Sequence, residues 1–128
     1  MSHLVDTDIL IDALNGQVAA GNWIAAHTDD GLALSMVSVC EIYEGADRTP
    51  DPAAHVVTLR RFLNDFRKLM LTEAIADIFA RERATLRQQG QLIPDLDLLI
   101  AATAIAHDLT LATRNTRHFA RVPGLRLA

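Results

Sequence analysis

A chain of 128 residues that is 50% hydrophobic carries enough apolar material for one core, and too much of it for an unfolded chain. A formal net charge of −4 excludes a uniformly basic protein that coats nucleic acid, though not a nuclease, whose local positive charge can come from a metal ion. The single cysteine, Cys40, excludes an intrachain disulfide and a cysteine-based zinc cluster. No basic region followed by a cleavable apolar segment opens the chain, and Leu96 to Ala106 is too short to span a bilayer, so a reducing, cytoplasmic home is expected.

Leu4-Val5 reads as a first buried strand, with Asp6 at its C-terminal end. A helix from about Asp8 to Leu14 is stopped by Asn15-Gly16. Val18 to His27 is a second helical stretch, with Trp23 and Ile24 as packing residues. Leu32 to Leu34 follows Gly31 as a second strand. Ser35 or Ser38 caps the next helix, which carries Val39, Cys40, Ile42 and Tyr43. Cys40 is expected as a small buried apolar residue. Arg48 to Ala54 is a polar connection, with Asp51 as cap and Pro52 as the first residue of a helix bearing Leu59, Phe62, Leu63 and Phe66. Leu69 to Leu71 reads as a third strand. Thr72 caps a helix whose buried stripe is Ile75, Ile78, Phe79 and Leu86, and Gly90 ends it. After Pro94, Asp97 to His107 is the most apolar helix, and Ala101, Ala102, Ala104 and Ala106 allow it close packing. Leu109 to Ala112 is a fourth strand, and Leu125 to Leu127 suggests a short fifth at the edge. Short apolar strands alternating with helices define an α/β chain with a mainly parallel sheet. There is no internal repeat and no low-complexity tract.

Three acidic residues stand in otherwise apolar stretches: Asp6 in HLVDTDILIDAL, Glu41 in SMVSVCEIYEGA and Asp97 in PDLDLLIAATAIA. A lone carboxylate in such a setting is costly to bury. Three of them suggest one shared site. In open α/β sheets, sites form beyond the carboxyl ends of the strands, where Asp6, Glu41, Asp97 and Asn115 can converge. Close carboxylates without a cation repel one another, and a metal removes that conflict. Oxygen donors without a thiolate suit Mg²⁺ or Mn²⁺ better than Zn²⁺.

Each residue also has a plainer role. Asp6 and Asp97 can cap helices, or Asp95 can be the cap in front of Asp97. Glu41 can be one exposed residue of an amphipathic helix, and Asn115 suits a turn. Asp12 and Glu44 read at least as well as solvated or salt-bridging residues. His118 reads as a surface or packing residue before a base, and Phe119 as core. Arg114, Arg117, His118 and Arg121 form the best local basic group for a phosphate backbone, whereas Arg60, Arg61, Arg67 and Lys68 read equally as solvated surface. No aromatic stacking platform is visible.

The stretches VDTDILIDAL, VCEIYEGA and IPDLDLLIAATAIAHDLTLATRNTRHFARVPGLRL resemble, in order and over nearly the whole chain, the PIN-domain ribonucleases, specifically the VapC-type toxins of bacterial toxin–antitoxin pairs. The resemblance implies a single PIN domain over residues 1–128, with a PIN-like three-layer fold and a mainly parallel central sheet of four to five strands flanked by helices. It implies Mg²⁺-dependent endoribonuclease activity, with Mn²⁺ able to substitute. The family's acidic metal ligands fall on Asp6, Glu41 and Asp97. The family's fourth acidic position holds Asn115, which supplies hydrogen bonds but no charge. Asp8, Thr113, Arg114 and Arg117 are the candidates for contacts to phosphate or to the shell around the metal. The resemblance also implies a homodimer, an RNA substrate and neutralisation by a cognate VapB-type antitoxin, through which any DNA contact would run. A catalytically weak member that acts by binding RNA or antitoxin is the rival expectation.

Overall fold

The computed structural model describes all 128 residues. In chain order it contains β1 (His3–Val5), α1 (Thr7–Leu14), α2 (Val18–His27), a 3₁₀ turn (Thr28–Asp30), β2 (Leu32–Ser35), α3 (Met36–Asp47), α4 (Pro52–Leu63), β3 (Arg67–Leu69), α5 (Glu73–Gln88), α6 (Asp95–Ala106), β4 (Thr110–Ala112) and α7 (Thr116–Phe119). The sheet order is β3-β2-β1-β4, and every pairing is parallel. The chain builds outward from β1 to β3, then returns to place β4 on the other side of β1. The switch point of the topology therefore lies between β1 and β4, where α/β sheets open a crevice at their carboxyl ends.

Alternation along the strands separates two apolar layers. Leu4 and Ala33 pack with Leu86, Leu98, Ile100, Ala101, Leu111 and Phe119 on the α5–α6 side. Val5, Leu32 and Leu34 point the other way, into a cluster with Leu10, Ile42, Leu59, Leu63 and Phe66. The result is the expected three-layer α/β fold. Helix α6 is buried on several sides, with Ala101, Ala102 and Ala104 fully covered, which small side chains permit. Ala106, at its end, is exposed.

Several boundaries differ from the sequence reading. The third strand is Arg67–Leu69 and not Leu69 to Leu71, because register pairs Ala33 with Arg67 and Ser35 with Leu69. Met70 and Leu71 therefore run past the end of β2 and stand 63% and 50% exposed. Helix α6 starts at Asp95, with Pro94 extended (ψ 142°) at the cap position and its carbonyl accepting from the Leu98 N–H. Asp97 thus lies within the first turn. Ser35, not Ser38, caps α3, accepting from the Val37 N–H at 3.0 Å. The caps at Asp51 and Thr72 are as read. Residues 125–127 form no full strand: Leu127 makes a single parallel bridge to Leu111. Cys40 is exposed and not buried, since it sits on the outer side of α3. No helix is long and apolar enough to cross a membrane.

Candidate active site

The carboxyl end of β1 is tied to that of β4 by the Asp6 N–H, which donates to the Ala112 carbonyl at 2.9 Å. Asp6 then caps α1, with Oδ1 accepting from the Thr7 N–H at 2.8 Å. Its other oxygen, Oδ2, accepts from the Thr113 hydroxyl at 2.7 Å. The capping role and a place in the site therefore coincide. Asp6 is only 5% exposed. Burial pushes its carboxyl up to about 6, with the charges of Asp8 and Asp97 adding to the rise, and the bonds from Thr113 and Thr7 opposing it.

Asp8, two residues into the same turn, accepts the Arg114 N–H at Oδ2 (3.0 Å), and the Thr113 hydroxyl stands 3.4 Å from that oxygen. Asp8 Oδ1 is buried with no hydrogen-bond partner, the one such side-chain atom in the protein. Buried polar atoms are nearly always paired, so an orphan oxygen in an acidic pocket calls for an explanation. Glu41, on α3, accepts from the Thr7 hydroxyl at 2.7 Å.

Asp97 approaches from α6, with Oδ2 3.1 Å from His118 Nδ1 on α7. The same Nδ1 lies 2.9 Å from the side-chain amide of Asn115. Nδ1 carries at most one hydrogen. Nδ1 therefore either accepts from the amide nitrogen of Asn115 or donates to Asp97, according to the tautomer. The Asn115 N–H donates to Thr113 Oγ1 at 2.9 Å, linking this group back to Asp6.

Asp6, Asp8, Glu41, Asp97 and Asn115 line one open pocket of about 240 Å³, together with Thr7 and Ile11. Thr113 sits beneath it, joining Asp6 and Asp8. Arg114 contributes its N–H, while its guanidinium turns to Asp12, at 2.6 and 3.1 Å. Arg117 is exposed on α7 and lies outside the lining. Glu44 pairs with Arg48 at 3.4 Å and not with the pocket. The sequence reading undervalued His118. Its signal was its place three residues after Asn115, one helical turn away, which needed α7 to be foreseen.

No three His, Cys, Asp or Glu side chains stand in a ready-made ligand cage. The chemistry of the donors nonetheless fits a hard divalent cation. All the acidic groups of the pocket offer oxygen, one buried carboxylate oxygen has no partner, and the Asp6 carboxyl is raised first by burial and then by the neighbouring charges of Asp8 and Asp97.

Residues 3–125 match the PIN domain family. Ribonuclease VapC10 of Mycobacterium tuberculosis is 41% identical over 117 residues, covering 91% of this chain and 84% of the relative. Ribonuclease VapC2 of Haemophilus influenzae is 34% identical over 126 residues, covering 98% and 96%. Among solved structures, VapBC2 from Rickettsia felis, bound to a DNA fragment from its promoter, gives a TM-score of 0.93 at 27% identity, covering 100% of this chain and 98% of that one. The chain belongs to the PIN-domain family, as a VapC-type toxin of a toxin–antitoxin system.

Proposed function

We propose that the protein is a Mg²⁺-dependent endoribonuclease, with Mn²⁺ as a substitute, that acts as a cytoplasmic toxin and is neutralised by a cognate VapB-type antitoxin. One observation carries the reading: four carboxylates and Asn115 from α1, α3, α6 and the β4–α7 turn meet in a single pocket at the switch point of the sheet. Asp6, Glu41 and Asp97 would hold the cation, with the unpartnered oxygen of Asp8 available beside them. Bound there, a divalent cation offsets negative charge, polarises a phosphate oxygen and makes water a better nucleophile.

The residues of the chain supply the rest. Glu41 would hold the same ion, or else orient or deprotonate the attacking water. Water adds in line at phosphorus, the bond to the 3′ oxygen breaks, and that oxygen takes a proton from solvent, leaving a 5′-phosphate and a 3′-hydroxyl. The Thr113–Asp6 bond and the His118–Asp97 contact hold two carboxylates in place. The Asn115 amide would bond a phosphate oxygen, and Arg114 and Arg117 would contact the flanking backbone. The names of relatives support RNA as the substrate. Those of M. tuberculosis and H. influenzae are called ribonucleases, and one from Shigella flexneri, 28% identical, is called a tRNA(fMet)-specific endonuclease. Transfer RNA, ribosomal RNA and mRNA are the candidates. The R. felis VapBC2 complex, which is bound to promoter DNA, supports an antitoxin partner; DNA contact through that partner and a homodimer are what the family resemblance implies.

Purified protein incubated with total RNA in Mg²⁺ is expected to give discrete fragments that vanish in EDTA and with Asp97→Asn. Cleavage that survives both conditions would sink the reading. A second reading, a weak enzyme that acts by binding, is favoured by Asn115, whose amide is engaged with His118. Tight RNA binding without cleavage under any divalent metal would select it.

His118→Ala removes the contact that holds Asp97. Loss of an outer partner of this kind costs about 10- to 100-fold in metal affinity. The expected signature is a rightward shift of the Mg²⁺ dependence, with the rate restored at saturating metal, and weaker Mn²⁺ binding in direct titration. Unchanged Mn²⁺ affinity would show that Asp97 needs no such support.

A further inference from the structure

Next to the acidic pocket lies a larger cavity of about 480 Å³ between α1 and α2, which the reaction as described does not use. Its lining includes Trp23, Ile9 and Ala20 on the apolar side, and Gln17, Asp12 and Arg114 on the polar side. The volume lies within the roughly 300–1,000 Å³ typical of small-ligand pockets. Arg114 belongs to both places. Its N–H is bound to Asp8 in the acidic pocket, while its side chain lines the second cavity. One residue therefore separates the site of cleavage from this space.

We propose that this cavity is a nucleobase subsite, which receives one unpaired base of the RNA strand adjacent to the cleaved phosphate. The proposal rests on the ribonuclease reading and goes beyond it by assigning where base recognition occurs. Three features favour a base. The Trp23 indole is fixed before any ligand arrives, because His27 stacks on it at 4.1 Å and 20°, and His3 meets it edge-on at 5.3 Å. His27 is itself held by Nδ1 donating to the Trp23 carbonyl at 2.7 Å. Proteins that read single strands use such rigid aromatic surfaces against bases.

Gln17 supplies the second feature. It occupies the cap position of α2 but makes no capping bond, so its amide, both donor and acceptor, is free for a base edge. The third is charge. Asp12 and Arg114 neutralise each other at the rim, so a polyanion meets no net repulsion there, unlike in the acidic pocket. Arg114, with its side chain 64% exposed, remains within reach of a phosphate.

Trp23 is the only tryptophan, so its emission reports this cavity alone. The test titrates protein in EDTA, where cleavage is absent, with fluorescein-labelled octaribonucleotides of adenine, cytosine or uracil and with one octamer containing guanines. Tryptophan emission and fluorescein anisotropy are read together. At least one octamer is expected to change Trp23 emission over the concentration range in which anisotropy rises, and an abasic octamer is expected not to. Trp23→Leu is expected to weaken that octamer about 5- to 150-fold, the range of one base–aromatic stack. Gln17→Ala, at an exposed position where folding is not at stake, is expected to change the ranking among the octamers. Anisotropy that rises without any change in emission, and is indifferent to both variants, would overturn the subsite while leaving the ribonuclease reading intact. No anisotropy change with any octamer also overturns it, and the total-RNA cleavage assay then decides separately whether the ribonuclease reading falls too. Emission that responds to a cognate antitoxin and to no octamer would assign the cavity to a protein partner instead.

Discussion

Asp6→Asn is expected to abolish RNA cleavage and, in the absence of metal, to make the protein more stable. The two effects share one cause. Asp6 is almost fully buried, and its carboxyl is raised from 3.8 to about 6, first by burial and then by Asp8 and Asp97. Between pH 4 and 6 the folded protein thus holds a proton that the unfolded chain has lost. Stability falls as pH rises through this window, and at pH 7 the ionised group costs about 3 kcal/mol at most. Asparagine removes that cost and keeps both contacts, accepting from the Thr7 N–H through oxygen and donating to the Thr113 hydroxyl through nitrogen. Urea unfolding in EDTA at pH 4 to 7 should show a decline in the wild type that is weaker in the variant. Mg²⁺ should then stabilise the wild type and leave the variant unchanged. The loss of cleavage should exceed the roughly 100-fold upper range for an outer partner. A variant less stable than the wild type at pH 7 would show that burying the Asp6 charge is not a net cost to the fold.

Phe119→Ala is expected to cost about 3–5 kcal/mol, the range for emptying a large aromatic position in a core. Phe119 is fully buried and packs in the layer that contains Leu4, Ile100 and Leu111. Its importance to the site follows from the length of α7. Four residues cannot hold a helix by themselves, so tertiary packing must do so. Releasing Phe119 frees His118 from Asp97 and from Asn115. Cleavage should therefore fall under conditions where the variant is still folded, which a melting curve recorded beside the assay would establish. Met70→Lys, at an exposed position past the end of β3, is the contrasting case and should stay within about 0.5 kcal/mol of the wild type. Equal losses in the two variants would contradict the assignment of the core.

Much of this architecture was legible because hydrophobic spacing and caps agree. Helix α2 begins and ends where the pattern places it, at Val18 and His27, and the caps at Asp51 and Thr72 follow from residue type alone. The isolation of Asp6, Glu41 and Asp97 in apolar stretches marked three of the pocket's acidic residues. What escaped depended on partners distant in sequence. Strand β3 was displaced by two residues because register with β2, not local hydropathy, decides where it lies. Asp8 was ranked second because nothing local reveals that one of its oxygens lacks a partner. Trp23 read as a packing residue because its proximity to Arg114 exists only after α1, α2 and the β4–α7 turn come together. Cys40 was expected inside because composition does not say which side of α3 faces the core.

The central pairing of β1 with β4 has a consequence for the timing of synthesis. His3, Leu4 and Val5 lie against Thr110, Leu111 and Ala112, so the first strand made waits for the last. Asp6 and Glu41 emerge early, but Thr113, Asn115 and His118 follow β4. A nascent chain that has not yet delivered its final segment therefore has half a pocket, and pairing over such a sequence distance is among the slower events in folding. The order of the strands therefore delays the pocket, because the interval before the last strand docks is also an interval in which the pocket remains unformed.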